Sequence, residues 1–106
     1  MNEERLKKLL EWEAQKPEDA FLKFALSQEY VSAGDDSTAK KYLELLADNF
    51  PDYLAPYYQL GKLYERTGET EKAKTIYLKG KAVAQSANDL KTLRELNEAI
   101  NLLEDE

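Results

Sequence analysis

A chain of 106 residues carrying 34% charged side chains and a net charge of −6 holds one domain's worth of sequence and a single core. It has no cysteine and no histidine. That excludes disulfides and thiolate metal sites and removes the commonest general base and metal ligand. The acidic balance opposes binding to a phosphate backbone, so no nucleic-acid partner is expected. Four glycines and three prolines leave little room for long loops or a β-rich fold.

The first segment, Glu3–Gln15, reads as an amphipathic helix with Leu6, Leu9, Leu10 and Trp12 as its apolar positions. Pro17 closes it. A second helix is expected over about Glu18–Ala33, with Gly34 as its stop. Asp35–Ser37 restart the chain into a third helix ending near Asn49, and Pro51 blocks its continuation. Asp52 or Tyr53 is expected to open a fourth helix, because Pro56 is tolerated only in a first turn. Its packing face comprises Tyr57, Leu60, Leu63, Tyr64 and Thr67, and Gly68 ends it. Glu69, Thr70 and Glu71 suit the positive end of a fifth helix, whose inner face carries Ala73, Ile76, Tyr77 and Gly80. Asn88 or Asp89 caps a sixth helix running to about Leu103, with Leu90, Leu93, Leu96, Ile100 and Leu103 as its apolar stripe.

The middle of the chain repeats at a period of 34 residues. Sliding by that amount sets Pro17 on Pro51, Leu26 on Leu60, Tyr30 on Tyr64, Gly34 on Gly68 and Ala39 on Ala73. Ser27 falls on Gly61 and Phe24 on Tyr58, small on small and aromatic on aromatic. A glycine inside a helix costs about 1 kcal/mol relative to alanine. Gly61 is therefore expected to serve close helix packing, facing Ala73 as Ser27 faces Ala39.

The pattern Tyr57-x-x-Leu60-Gly61-x-x-Tyr64, then Gly68, then Ala73-x-x-x-Tyr77, resembles the tetratricopeptide repeat. The preceding unit matches through Leu26-Ser27-x-x-Tyr30, Gly34, Ala39-x-x-x-Leu43 and Pro51. Two departures stand out. Lys23 occupies a position where the family prefers a large aromatic, and Gln85 replaces the closing proline, so the fifth helix should run on. The resemblance implies an all-α solenoid of antiparallel helix-turn-helix repeats with about six helices. The expected organisation is a capping helix over 1–16, repeats over 17–50 and 51–87, and a second capping helix over 88–106. Two caps lead us to expect a complete unit.

The resemblance also implies a non-catalytic protein-interaction module. In this family the first helices of successive repeats line a concave groove that binds peptides or protein segments. Carried over by position, Phe21, Phe24, Gln28 and Val31 come from the first repeat, and Tyr58, Gln59 and Lys62 from the second. Ala55 and Glu65 join the second repeat's contribution to the groove. The alternative for Phe24 and Tyr58 is burial between adjacent helices. Some members grip acidic chaperone tails with lysine and asparagine. Phe24, Gln28 and Gln59 stand at such positions here, so that activity is not expected.

No glycine-rich phosphate loop is present, and the acidic residues cluster at helix starts, so no enzyme and no cofactor are expected. Lys72, Lys74, Lys79 and Lys81 read as a solvated outer face. A charged start and the lack of an apolar run near the roughly 20 residues of a membrane span point to a cytoplasmic protein. The other functional reading is self-association into a homodimer, so the chain is expected to be a monomer or a weak homodimer.

Overall fold

The computed structural model describes residues 3–105. They form α1 (Glu3–Gln15), α2 (Ala20–Ser32), α3 (Asp36–Asn49), α4 (Ala55–Arg66), α5 (Thr70–Ser86) and α6 (Leu90–Glu104). The chain divides into two compact units, 1–53 and 54–106.

In the first unit α1 packs on α2 and α2 pairs with α3. Asp19 caps α2 by accepting a hydrogen bond from the Leu22 amide at 3.2 Å. Asp35 caps α3 through the Thr38 amide at 3.1 Å and the Thr38 hydroxyl at 2.8 Å. The turn before it is closed by Gly34, at φ +80°, whose amide reaches the Val31 carbonyl while the Asp35 amide reaches that of Tyr30. This pair of bonds satisfies the last carbonyls of α2 and requires a left-handed residue between them. Leu9, Leu22 and Leu26 form a small core, flanked by Leu6, Ala25, Tyr30 and Tyr42. Tyr30 and Tyr42 stack with ring centroids 5.9 Å apart.

Two ion pairs set the direction of α1 against α2. Arg5 meets Glu29 at 2.7 Å, and Glu13 receives Lys23. Rising numbers on one helix meet falling numbers on the other, so the pair is antiparallel. This accounts for Lys23, which departs from the aromatic of the repeat pattern. It is buried, and the neighbouring helix supplies a carboxylate. The reading of α1 needs correction. Of its four expected core residues only Leu9 is buried, while Leu10 and Trp12 are exposed. At 100° per residue those four positions span about 160° of the helix, more than α2 alone covers.

The second unit is a three-helix stack in which α4 pairs with α5 and α5 with α6. The start of α4 also differs from expectation. Residues 50–54 form the connection, and the helix begins at Ala55 with Pro56 in its first turn. Gly68 repeats the Gly34 turn at φ +79°, with amide bonds from Gly68 to Glu65 and from Glu69 to Tyr64. Asn88 makes the same turn without glycine, at φ +57°, through Gln85 and Ala84. Asp89 then caps α6 through the amide and hydroxyl of Thr92. α5 extends to Ser86, past the register position where α3 ends, as the missing proline suggested.

Tyr57, Leu60, Leu63, Tyr64, Ala73, Ile76, Tyr77 and Leu96 are buried; Thr67 is exposed and its hydroxyl caps the Leu63 carbonyl. The nearest neighbour of Gly61 is the ring of Tyr77, one turn beyond Ala73 along α5. A Cβ on Gly61 would lie 2.1 Å from Tyr77 Cε1. Gly80 similarly admits Tyr57 and Leu96, so α4 and α6 both approach α5 at a residue without a side chain. The equivalent pair in the first unit is Ser27 and Leu43, both fully buried. There a smaller partner accompanies a larger residue at the glycine position.

Candidate functional site

On α2 the residues Phe21, Phe24, Gln28 and Val31 follow one another at three- and four-residue intervals, which places them on one stripe. The opposite side of the helix holds the buried Leu22, Lys23, Leu26 and Ser27. Phe21 is 66% exposed. Phe24, Gln28 and Val31 are half-buried. Phe24 rests edge-on against Tyr53, with centroids 5.9 Å apart and planes at 73°. This favourable edge-to-face geometry holds the Phe24 ring on the surface of α2. Tyr53, whose role the sequence left open, is thereby a support for Phe24, and burial pushes its hydroxyl pKa above the ordinary value. The Gln28 side-chain nitrogen is shielded from solvent and has no hydrogen-bond partner among the described residues.

Phe21 also borders a cleft between α1 and α2 of about 460 Å³, together with Trp12, Leu9, Ala25, Arg5 and Lys8. Sequence reasoning did not place Trp12 there. The available signal was its position three residues beyond Leu9, at the edge of the α1 apolar arc.

On α4 the stripe Tyr58, Gln59 and Lys62 is half-buried throughout. Tyr58 lies against Tyr77 with centroids 6.3 Å apart, and the Lys62 ammonium stands 5.4 Å from the Tyr58 ring centre. Such a cation over a ring face is held by the ring's quadrupole. Lys62 also approaches Glu65 at 3.8 Å, and Glu65 accepts a hydrogen bond from the Tyr77 hydroxyl. Burial and the adjacent carboxylate push the Tyr77 pKa well above the ordinary tyrosine value. Lys62 is therefore part of a chain, Tyr58–Lys62–Glu65–Tyr77, that joins the surface of α4 to its core.

Ala55 is exposed, as are Lys91 and Arg94 on α6. Of the lysines read as an outer face, Lys72 and Lys79 are exposed, while Lys72 pairs with Glu69 and Lys74 with Glu104. Among the described residues no group of acidic side chains is placed to hold a metal ion. No helix among them is long and apolar enough to cross a membrane.

Two family models described as tetratricopeptide repeat match this chain, over residues 19–53 and 54–86. A TPR repeat-containing protein of Pseudomonas aeruginosa is 30% identical over 93 residues, covering 88% of this chain and 86% of that protein. Among solved structures, the crystal structure of a tetratricopeptide repeat domain protein from Salinibacter ruber is 39% identical, with a TM-score of 0.79 over 82% of this chain and 97% of that one. The solution structure from the same organism gives 40% identity and a TM-score of 0.81 over 85% and 91% of the two chains. The solution structure of a Bordetella parapertussis protein is 26% identical, with a TM-score of 0.80 over 94% and 87%.

Proposed function

We propose a non-catalytic peptide-binding role for this chain, which belongs to the tetratricopeptide repeat family. Such repeats generally mediate protein–protein interaction and are typically not catalytic. The finer reading is that a peptide or protein segment lies along the outward stripes of the repeats' first helices, in the concave groove of the family. Phe21, Phe24 and Tyr58 act as apolar anchors. Gln28, Gln59 and Lys62 select polar groups on the ligand.

The observation that carries this reading is the α2 stripe. A phenylalanine two-thirds exposed, followed at helical spacing by a half-buried one, leaves apolar surface that a partner gains by covering. On α4 the Lys62 ammonium lies over the Tyr58 ring, so the two side chains offer an apolar face and a charge side by side.

The test is affinity capture from the source cell's lysate, using the natural chain beside Phe21→Glu and Phe24→Glu/Tyr58→Glu variants. Circular dichroism checks that each variant keeps its helix content. Phe21→Glu alters an exposed residue at the rim of the α1–α2 cleft, and the helix-content check separates a loss of binding from a loss of fold. A partner lost from both variants supports the reading. A partner retained equally by all three contradicts it.

A further inference from the structure

We infer that the outer face of α1 is a homodimer interface, in which two copies of the helix pack antiparallel about a twofold axis near residues 8 and 9. α1 turns one side toward α2, where Leu9 is buried and Arg5 and Glu13 make their ion pairs. Another side carries Leu6, Leu10 and Ala14 at four-residue spacing along a shallow, almost wholly apolar depression of about 440 Å³. Leu10 is 38% exposed. The charged residues bordering that strip are Glu3, Lys7 and Glu11. Lys7 and Glu11 make no ion pair within the chain among the described residues.

The occupant follows from the order of those residues. In an antiparallel pair of identical helices, each flank of the strip meets the same flank of its copy. The centres of Leu6/Leu10, Lys7/Glu11 and Glu3/Ala14 fall at 8, 9 and 8.5. One axis therefore serves all three. It sets Leu6 beside Leu10 of the second copy, and Ala14, which is small enough for close approach, beside Glu3. Lys7 comes within about one residue's rise, about 1.5 Å along the axis, of the second copy's Glu11. The contact is made twice by symmetry, as an isologous interface requires. A parallel pair would instead set each flank against the opposite flank of the copy, so Lys7 and Glu11, which share one flank, would not meet across the axis. The Lys7–Glu11 pairing thus belongs to the antiparallel orientation. This surface is distinct from the α2 stripe of Phe21, Phe24, Gln28 and Val31.

One helix from each copy makes a small interface, so the dimer belongs to the weak class. The test is sedimentation equilibrium on the full chain from about 10 μM to about 1 mM, since dimer population follows mass action. The natural chain should dimerise in this range. Leu10→Glu should abolish the dimer. Lys7→Glu and Glu11→Lys should each weaken it by about tenfold, because each places two like-charge contacts across the axis. The double variant Lys7→Glu/Glu11→Lys should recover the natural affinity to within about threefold. All three positions lie outside the core, and thermal melting confirms that the variants remain folded. A natural chain monomeric throughout overturns the inference, as does a dimer indifferent to Leu10→Glu. Charge variants that weaken the dimer without recovery in the double variant overturn it too.

Discussion

Replacing Gly61 with alanine adds one methyl group, and local propensity and packing give opposite signs for its effect. An alanine in place of glycine inside a helix gains about 1 kcal/mol from propensity alone. The structure places that methyl 2.1 Å from Tyr77 Cε1 and 2.5 Å from Cζ. Carbon atoms prefer about 3.5–4.0 Å, so the ring must move by more than 1 Å. It has little freedom to do so, because Tyr77 is fully buried and its hydroxyl is held by Glu65. Overpacking of this kind costs about 1–3 kcal/mol, and a ring fixed at both ends places the cost in the upper part of that range. The net expectation is a loss of about 1–2 kcal/mol, read by urea denaturation followed by circular dichroism. This corresponds to a fall in Tm of about 5–15 °C. The same substitution in a Tyr77→Leu background, which imitates Leu43 of the first unit, should cost nothing or stabilise. The coupling between the two sites should then exceed about 1 kcal/mol. A Gly61→Ala chain more stable than the natural one would refute the reasoning, and so would equal effects in the two backgrounds.

Asn88 takes a left-handed turn that Gly34 and Gly68 take elsewhere, so Asn88→Ala should lose about 1 kcal/mol and Asn88→Gly should be neutral or gain slightly, measured by thermal melting. The Lys23–Glu13 pair separates charge from packing. Glu13→Ala leaves a buried ammonium without its carboxylate and should cost about 1–3 kcal/mol, a range reduced because Glu13 is partly exposed, whereas Lys23→Met should be close to neutral in the same urea titration. Acid should weaken the capped helices. Hydrogen bonds from Thr38 and Thr92 hold the Asp35 and Asp89 carboxyls below their ordinary value of 3.8, so their contribution is present above that pH and is lost as pH falls through the lower folded values. An Asp35→Ala/Asp89→Ala chain should therefore show a shallower loss of Tm between about pH 5 and pH 2. At the alkaline end the sign reverses. Tyr77 resists ionisation when folded, so stability should fall above its ordinary value of 10, and Tyr77→Phe should remove part of that slope.

The six helices were legible because their boundaries are written in local chemistry. Gly34 and Gly68 adopt the left-handed turn their spacing implied, and Asp35 and Asp89 cap through the threonine three residues on. The repeat was legible because small, aromatic and glycine positions recur at one period. Contacts set by the third dimension were not. That the Tyr77 ring lies nearest to Gly61 depends on how far α4 and α5 slide past each other, which no spacing within either helix encodes. The start of α4 was misplaced because Asp52 resembles a cap in isolation, while Pro56 allows a start at either residue. Trp12 and Leu10 look like core by hydropathy, yet α1 has one helix to cover it. In the candidate site, helical spacing was enough to group Phe21, Phe24, Gln28 and Val31 on one face. The support of Phe24 by Tyr53 joins residues distant in sequence, and only the fold reveals it, whereas Lys62 meets Tyr58 and Glu65 at helical spacings the sequence already offered.

The central claim is that the first helices of the repeats form the binding face. The measurement that tests it most directly is an amide chemical-shift map of isotope-labelled protein titrated with the peptide segment of a captured partner. The account predicts shifts concentrated at Phe21, Phe24, Gln28 and Val31 of α2 and at Tyr58, Gln59 and Lys62 of α4. Shifts confined to α1, α3, α5 or α6, with those seven amides unmoved, would contradict it.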